Sequence, residues 1–304
     1  MVNDNPILIT GVGGRFGNVG GAVVRLLRER ALPVRALLHH DDDRGDALRA
    51  LGAEVVVGDL TQPSDVAQAL DGCRRMFFSM SISPDYLEAA VTVATVAYAL
   101  DTLEALVAIS QMTVSQMSPT SSDESHHQRL HFLAEQVLDW SGLPVVHIRP
   151  TVFLDNPLFT TLVAASVAES GTLRLPFGTG RSSPVAVADV ARVVATVLED
   201  PRPHLGHVYE LTGPRCQDMT GVAEEFSRAL GRPITYVDIP FETWVEGISH
   251  AGLPEYAEQH VVTVVRLHRE NRYDRLTRTV ELITGEPAQT VEEFVAERKD
   301  MYSR

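Results

Sequence analysis

Short apolar runs alternate with segments of helical periodicity through the first half of the chain. Ile7-Leu8-Ile9 reads as a strand, and Gly20 to Arg30 as a helix. The pair then repeats. Val34 to Leu38 is a strand, Asp43 to Leu51 a helix, Glu54 to Val57 a strand, and Ser64 to Leu70 a short helix with Ser64 as its expected cap after Pro63. Met76-Phe77-Phe78 predicts a fourth strand, Pro84 to about Leu100 a long helix, and Leu106 to Ile109 a fifth strand. A polar loop, Gln111 to Ser122, leads into a helix from about Asp123 to Trp140, and Val145 to Ile148 is a sixth strand. Alternation at this spacing predicts βαβ units with right-handed crossovers. The strands are continuously apolar, as in a sheet covered on both faces. The expected class is α/β, a doubly wound parallel sheet.

After Pro150 the rhythm changes. Leu158 to Glu169 looks helical, and "RSSPVAVADVARVVATVLED" looks like a strand followed by a helix, with Asp189 as its expected cap. Short elements follow at His207 to Leu211, Gly221 to Leu230 and Ile234 to Val237, then mostly helix. The expectation is a nucleotide-binding unit over residues 1–150, to which segments around 183–212 contribute, and a smaller interleaved C-terminal cap over 151–304 that binds substrate. No Pro/Ser-rich linker, internal repeat or low-complexity tract divides them.

Composition narrows the function classes. Hydrophobic residues make up 44% of the 304 residues, enough for a sizeable core. A formal net charge of -14 weighs against binding a nucleic-acid backbone or an acidic membrane surface. Two distant cysteines, Cys73 and Cys216, form neither a disulfide framework nor a zinc motif, which fits a reducing cytoplasm. The start, MVNDNPILIT, lacks the basic and long apolar regions of a signal peptide, and no apolar stretch reaches membrane-spanning length.

The candidate chemistry begins at "ITGVGGRFGNVGG", a glycine-rich loop between the first strand and the first helix. This is the context a dinucleotide loop requires. Gly11, after Thr10, permits a tight turn; Gly14, beside Arg15 and Phe16, lets the backbone approach a pyrophosphate at the helix N-terminus; Gly17 or Gly20 allows close helix–strand packing. The second strand ends in "LLHHDDDRGD", where such a fold reads the adenosine ribose: acids suit NAD and cations suit NADP. Asp59, followed by Leu60 after the third strand, stands at the expected adenine edge or caps a helix. Ser79, Met80 and Ser81 follow the fourth strand, and Ser110 and Gln111 end the fifth, at the sheet edge where open α/β folds bind ligands.

These residues resemble the NmrA-like branch of the atypical short-chain dehydrogenase/reductases, which have a Rossmann fold. The resemblance rests on "ITGVGGRFG", "PVRALL", "LGAEVVVGDLTQPSDVAQALDGC", "AEQVLDWSGLPVVHIRPTVFLDN", "HVYELTGP" and "LITGEPAQTVEEFV", and covers nearly the whole chain. It implies nicotinamide dinucleotide binding, with Pro150, Thr151 and Val152 near the nicotinamide. Two departures stand out. "GNVGG" lengthens the loop, and His39 occupies the position after "PVRALL" where the family usually carries an arginine for the 2′-phosphate. NADP(H) is favoured weakly over NAD(H).

Short-chain dehydrogenases usually carry Tyr-x-x-x-Lys on the helix after the fifth strand, as proton donor and pKa-lowering partner. Counting back from Glu135, which matches a family glutamate, puts the Lys position on His131 and the Tyr position on His127. His127, His131 and Ser110 are therefore the candidate catalytic groups. The His127, His131 and Glu135 spacing also admits zinc but lacks the flanking HExxH signature, so no metal is expected. Gln111, Phe153, Asn156 and Phe159, with Phe177, are candidates for a substrate pocket, and Trp244 and Tyr256 for its closure from the cap. Without a strong acid, the chemistry favours a quinone-like acceptor whose reduced oxyanion is delocalised. The expectation is an NAD(P)H-dependent oxidoreductase of small aromatic or quinone-like molecules, in a tailoring role as reductase or monooxygenase. The alternative is a non-catalytic NAD(P) sensor with a regulatory protein partner. A homodimer stays open.

Overall fold

The computed structural model describes residues 5–13 and 18–303. The first half runs β1 (Ile7–Ile9), α1 (Val19–Glu29), β2 (Val34–Leu38), α2 (Asp43–Ala50), β3 (Glu54–Val57), α3 (Pro63–Leu70), β4 (Arg75–Phe78), α4 (Tyr86–Leu100), β5 (Ala105–Ile109), α5 (His126–Trp140) and β6 (Val145–Pro150). The second half runs α6 (Ala164–Ser170), β7 (Thr172–Leu175), α7 (Val187–Glu199), β8 (Val208–Leu211), α8 (Met219–Leu230), β9 (Thr235–Asp238), α9 (Phe241–Ser249), α10 (Glu255–Arg269), α11 (Thr279–Thr284) and α12 (Val291–Ala296).

Seven strands form one parallel sheet in the order β3-β2-β1-β4-β5-β6-β8, with helices on both faces. This is the expected Rossmann-type α/β fold. The order reverses between β1 and β4, which opens a crevice at the carboxyl ends of the strands. β1, β4 and β5 are buried along their whole length, which explains the apolar runs of β1, β5 and Met76–Phe78; Arg75, which opens β4, is buried with its guanidinium donating to Leu198 O. On one face α1 packs against α7, burying Val23, Val24 and Leu27. Fully burying side chains of this kind contributes roughly 1.5–3 kcal/mol each. On the other face α3, α4 and α5 cover the sheet. A separate core gathers Phe159, Phe177, Phe226, Trp244 and Phe294 around the small parallel pair β7–β9.

Several boundaries differ from the sequence pattern for physical reasons. α5 starts at His126 rather than near Asp123, because Ser125 and Gln128 form a reciprocal capping box. α3 begins with Pro63, and Ser64 is inside the helix, not its cap. α4 starts at Tyr86, two residues after Pro84. The segment Leu158–Val163 is a π-helical turn that leads into α6. The strand expected in "RSSPV" is absent: Ser182 and Val185 make isolated bridges to Gln217 and Phe153. Asp189 does not cap α7, whose cap position is Ala186; it lies in the first turn instead. Strand β7 has no counterpart in the sequence reading.

Candidate active site

The glycine loop starts where β1 meets β4. Thr10 is fully buried; its hydroxyl donates to Ser79 O at 2.8 Å and accepts the Ser79 N–H at 2.9 Å. That pair ties the ends of the two strands together beside the crevice. Gly11 has φ +69, and a Cβ there would stand 2.7 Å from Ser79 Oγ. Its left-handed backbone and its close approach both require glycine. A Cβ on Gly20 would meet Thr10 O at 2.6 Å and Gly11 C at 2.9 Å. Gly20 therefore gives the close contact between α1 and the end of β1. Asn18 caps α1 by accepting the Gly21 N–H at 2.8 Å. Gly14, Arg15, Phe16 and Gly17 lie outside the described residues.

From this loop a cleft of about 440 Å³ runs toward β2 and β3, lined by Thr10, Gly11, Gly13, His39, Arg44, Asp59, Leu60, Ser79, Met80 and Ser81. Asp59 accepts the Thr61 N–H at 2.8 Å and the Thr61 hydroxyl at 2.9 Å, which lowers its pKa. It closes a turn before α3 and does not cap the helix. His39 Nε2 lies 3.6 Å from Asp59 Oδ2. Arg44 Nη1 donates to Gly13 O at 2.7 Å, and its Nε donates to Asp42 Oδ1 at 2.9 Å. Arg44 is the one Arg or Lys among the described residues that line this cleft.

A second cavity, of about 180 Å³, shares Ser79, Met80 and Ser81 with the cleft as lining residues. Its floor is the carboxyl edge of β5 and β6: Ser110, Gln111, Pro150, Thr151 and Val152, with Phe153 and Asn156 beyond. Its wall is α5, which contributes His127 and His131, and α10, which contributes His260 and Val264. Phe159 does not line it and is buried in the second core. Phe177 stacks on His268 at 4.0 Å, and Trp244 belongs to that same core. Tyr256 is partly exposed and does not line the cavity.

The three imidazoles form one cluster. His127 Nε2 and His131 Nε2 are 3.2 Å apart, and His260 meets His127 edge-on at 4.9 Å. Ser125 Oγ lies 2.8 Å from His260 Nδ1, so the cap of α5 touches α10. The Tyr86 ring packs on His131 at 4.0 Å while its hydroxyl donates to Ile109 O at 2.9 Å. Burial pushes His131 down to about 3 and His260 to about 4. It also lowers His127, with His131 and His260 adding to the effect. All three are neutral at pH 7. Glu135, one turn further along α5, is buried and bonded to Arg149 through both of its carboxylate oxygens. That engagement takes it out of the cavity. Among the described residues no group of three or more His, Cys, Asp or Glu side chains, this cluster included, is arranged to hold a metal ion.

A family profile described as NAD(P)H-binding matches residues 14–201. The chain is also 30% identical over 289 residues to an NAD(P)H azoreductase of Xenophilus azovorans, covering 94% of this chain and 96% of that protein. The chain belongs to the NAD(P)H-binding family. The chain is also similar to NmrA-like proteins, the branch of the atypical short-chain dehydrogenase/reductases that its sequence resembles. One relative in that branch is the NmrA-like family domain-containing oxidoreductase notA of Aspergillus sp., 45% identical over 74 residues, which are 24% of this chain and 22% of that one. The fold matches that of an NADPH-dependent quinone oxidoreductase from Escherichia coli, complexed with NADPH. The TM-score is 0.80 at 22% identity, covering 96% of this chain and 99% of that one. The chain is an NAD(P)H-dependent oxidoreductase. Its cleft suits a dinucleotide: Thr10, Gly11 and Gly13 line it without bulky side chains, and the Arg44 guanidinium offers a cation to a phosphate.

α5 holds no Tyr-x-x-x-Lys; the positions that counting back from Glu135 assigned to that pair hold His127 and His131. The sequence pattern did not point to His260, Val264 or Tyr273 as cavity residues. A histidine such as His260 on the buried side of α10 carries no local mark of a partner 135 residues earlier.

Proposed function

We propose that this oxidoreductase reduces small aromatic, quinone-like acceptors, using NADPH in preference to NADH. The observation that carries the reading is that the glycine-lined cleft and the cavity share Ser79, Met80 and Ser81 as lining residues. In this reading Gly11, Gly14 and Gly17 with Thr10, Arg15 and Phe16 surround the diphosphate. His39, Asp59 and Leu60 flank the adenosine, and Ser79, Met80, Ser81, Pro150, Thr151 and Val152 flank the nicotinamide. When bound, the reduced nicotinamide supplies a hydride.

The acceptor takes the cavity between Gln111, Phe153 and Asn156, opposite the histidines. A quinone gains a hydride and one proton to become the hydroquinone. The oxyanion formed on the way is delocalised and needs only a hydrogen bond, which a neutral imidazole N–H or the Ser110 hydroxyl supplies. Simple ketones give a far more basic alkoxide and would need an acid that this site lacks, because its imidazoles stay unprotonated at pH 7. The proton then comes from solvent. The azoreductase and quinone oxidoreductase relatives support an aromatic acceptor. A tailoring step in aromatic metabolite synthesis fits the same site.

The test is NADPH oxidation, followed by absorbance, with a panel of naphthoquinones and a panel of simple ketones. Quinone turnover with ketone turnover at least tenfold lower supports the reading. Tight NADPH binding without turnover of any acceptor overturns it and favours the sensor.

A further inference from the structure

We infer that the cavity selects uncharged acceptors and turns away anionic ones such as aryl sulfonates or carboxylates. The inference deepens the reductase reading and rests on it. Among the described residues lining the cavity there is no Asp, Glu, Lys or Arg. Arginines that neighbour the lining residues Pro150 and Tyr273 in the chain are engaged elsewhere: Arg149 with Glu135, Arg272 with Glu124 and Gln116, and Arg275 with Glu210 and Ser115.

An anion entering this space would shed water and meet no counter-charge. Protonating a histidine would supply one, yet these imidazoles resist protonation at neutral pH because they are buried against each other and against Tyr86. The formal net charge of -14 adds a weaker repulsion at long range.

What the wall offers instead is neutral hydrogen bonding. His127 and His131 meet through their Nε2 atoms, so one donates and the other accepts. The donor ring then has a bare Nδ1, and the accepting ring carries its proton on Nδ1. Whichever way the pair is arranged, it holds one donor and one acceptor on the two Nδ1 atoms, and neither has a partner among the described residues. Ser110 Oγ and Thr151 Oγ1, on the floor, are likewise buried without a partner. Unsatisfied buried polar groups are uncommon in folded proteins. Four of them on residues around one cavity make its surroundings polar without charge, which suits a neutral ligand such as a carbonyl-bearing ring better than an anion.

The experiment compares matched pairs on the cofactor-loaded protein. For turnover, the pair is 1,2-naphthoquinone and 1,2-naphthoquinone-4-sulfonate. The sulfonate withdraws electrons and makes the ring the better hydride acceptor, so a preference against it belongs to the pocket. For binding without reaction, the pair is 2-naphthol and naphthalene-2-sulfonate, measured by calorimetry. The neutral member is expected to show kcat/KM and affinity at least tenfold higher. Gln111→Arg, at the cavity edge, should narrow both ratios; Asn156→Lys serves if that variant does not fold. Equal or better use of the sulfonates overturns the inference while leaving the reductase reading intact. Failure to reduce either quinone, with NADPH bound, overturns the reductase reading and the inference with it.

Discussion

At the scale of one residue, we propose that Arg44 sets the cofactor preference, since it lines the glycine cleft. The family's usual arginine position is His39, whose side chain is 65% exposed and faces Asp59. Arg44 comes instead from the first turn of α2 and is held over Gly13 by its bonds to Gly13 O and Asp42. A guanidinium presents a planar, permanently charged fork suited to a phosphate. Arg44→Ala is expected to weaken NADPH binding about tenfold, an amount typical of one charge-assisted contact, while NADH binding changes little. Calorimetry with both coenzymes checks this; equal losses for the two would assign Arg44 to shaping the loop. Gly20 shows the same scale of control by steric means. The lengthened loop left Gly17 and Gly20 as alternatives for close packing; Gly20 touches the end of β1, and Gly17 lies outside the described residues.

The helices show how an element's boundary is set by residues outside it. α7 starts at Val187 without a capping side chain of its own. Asp155, which follows β6, accepts the Val187 N–H at 2.8 Å and caps the helix from a distance of 32 residues. Asp189 accepts from Arg192 at 2.6 Å and from the Gln289 N–H at 2.8 Å, and so joins α7 to the segment before α12. Replacing Asp155 by alanine leaves a helix-terminal N–H unpaired near the core. The expected loss is about 1 kcal/mol of unfolding free energy, as for other N-caps. Urea denaturation measures it; a variant as stable as the parent would show that the cap contributes nothing. α5 is set in a comparable way, since its Ser125 cap is also the residue that meets His260 of α10.

For the whole molecule the buried histidines set the response to acid. His131 is held at about 3, and His260 and His268 at about 4, mainly by burial, and His127 is lowered for the same reason. An unfolded histidine titrates near 6.5. Above about pH 7 folded and unfolded chains carry equal protons on these groups, so their contribution to stability is fully present. As pH falls below about 6.5, the unfolded chain takes up protons that the folded one does not. Stability is then lost at up to about 1.4 kcal/mol per pH unit for each histidine. Urea midpoints at pH 7.5, 6 and 5 should fall steeply; a flat profile sinks the claim. His268→Gln should make the slope shallower by one group. The alternation of strands and helices, the crossover fold and the place of the glycine loop were legible in the sequence, because hydrophobic periodicity and turn chemistry are local properties of the chain. β7 was not, because "TLRL" is four residues long and gains its identity only by pairing with β9, some sixty residues later. Nor was the burial of Phe159, since an aromatic residue on a helical turn looks the same whether it faces a cavity or a core. The sequence by itself determined that β1, its loop and α1 would build a dinucleotide cleft and that α5 would carry histidines in place of tyrosine and lysine. Only the tertiary structure decided that α10 brings His260 against them and that the resulting wall is buried and uncharged. Neutrality there depends on desolvation by residues distant in the chain, which no local pattern encodes.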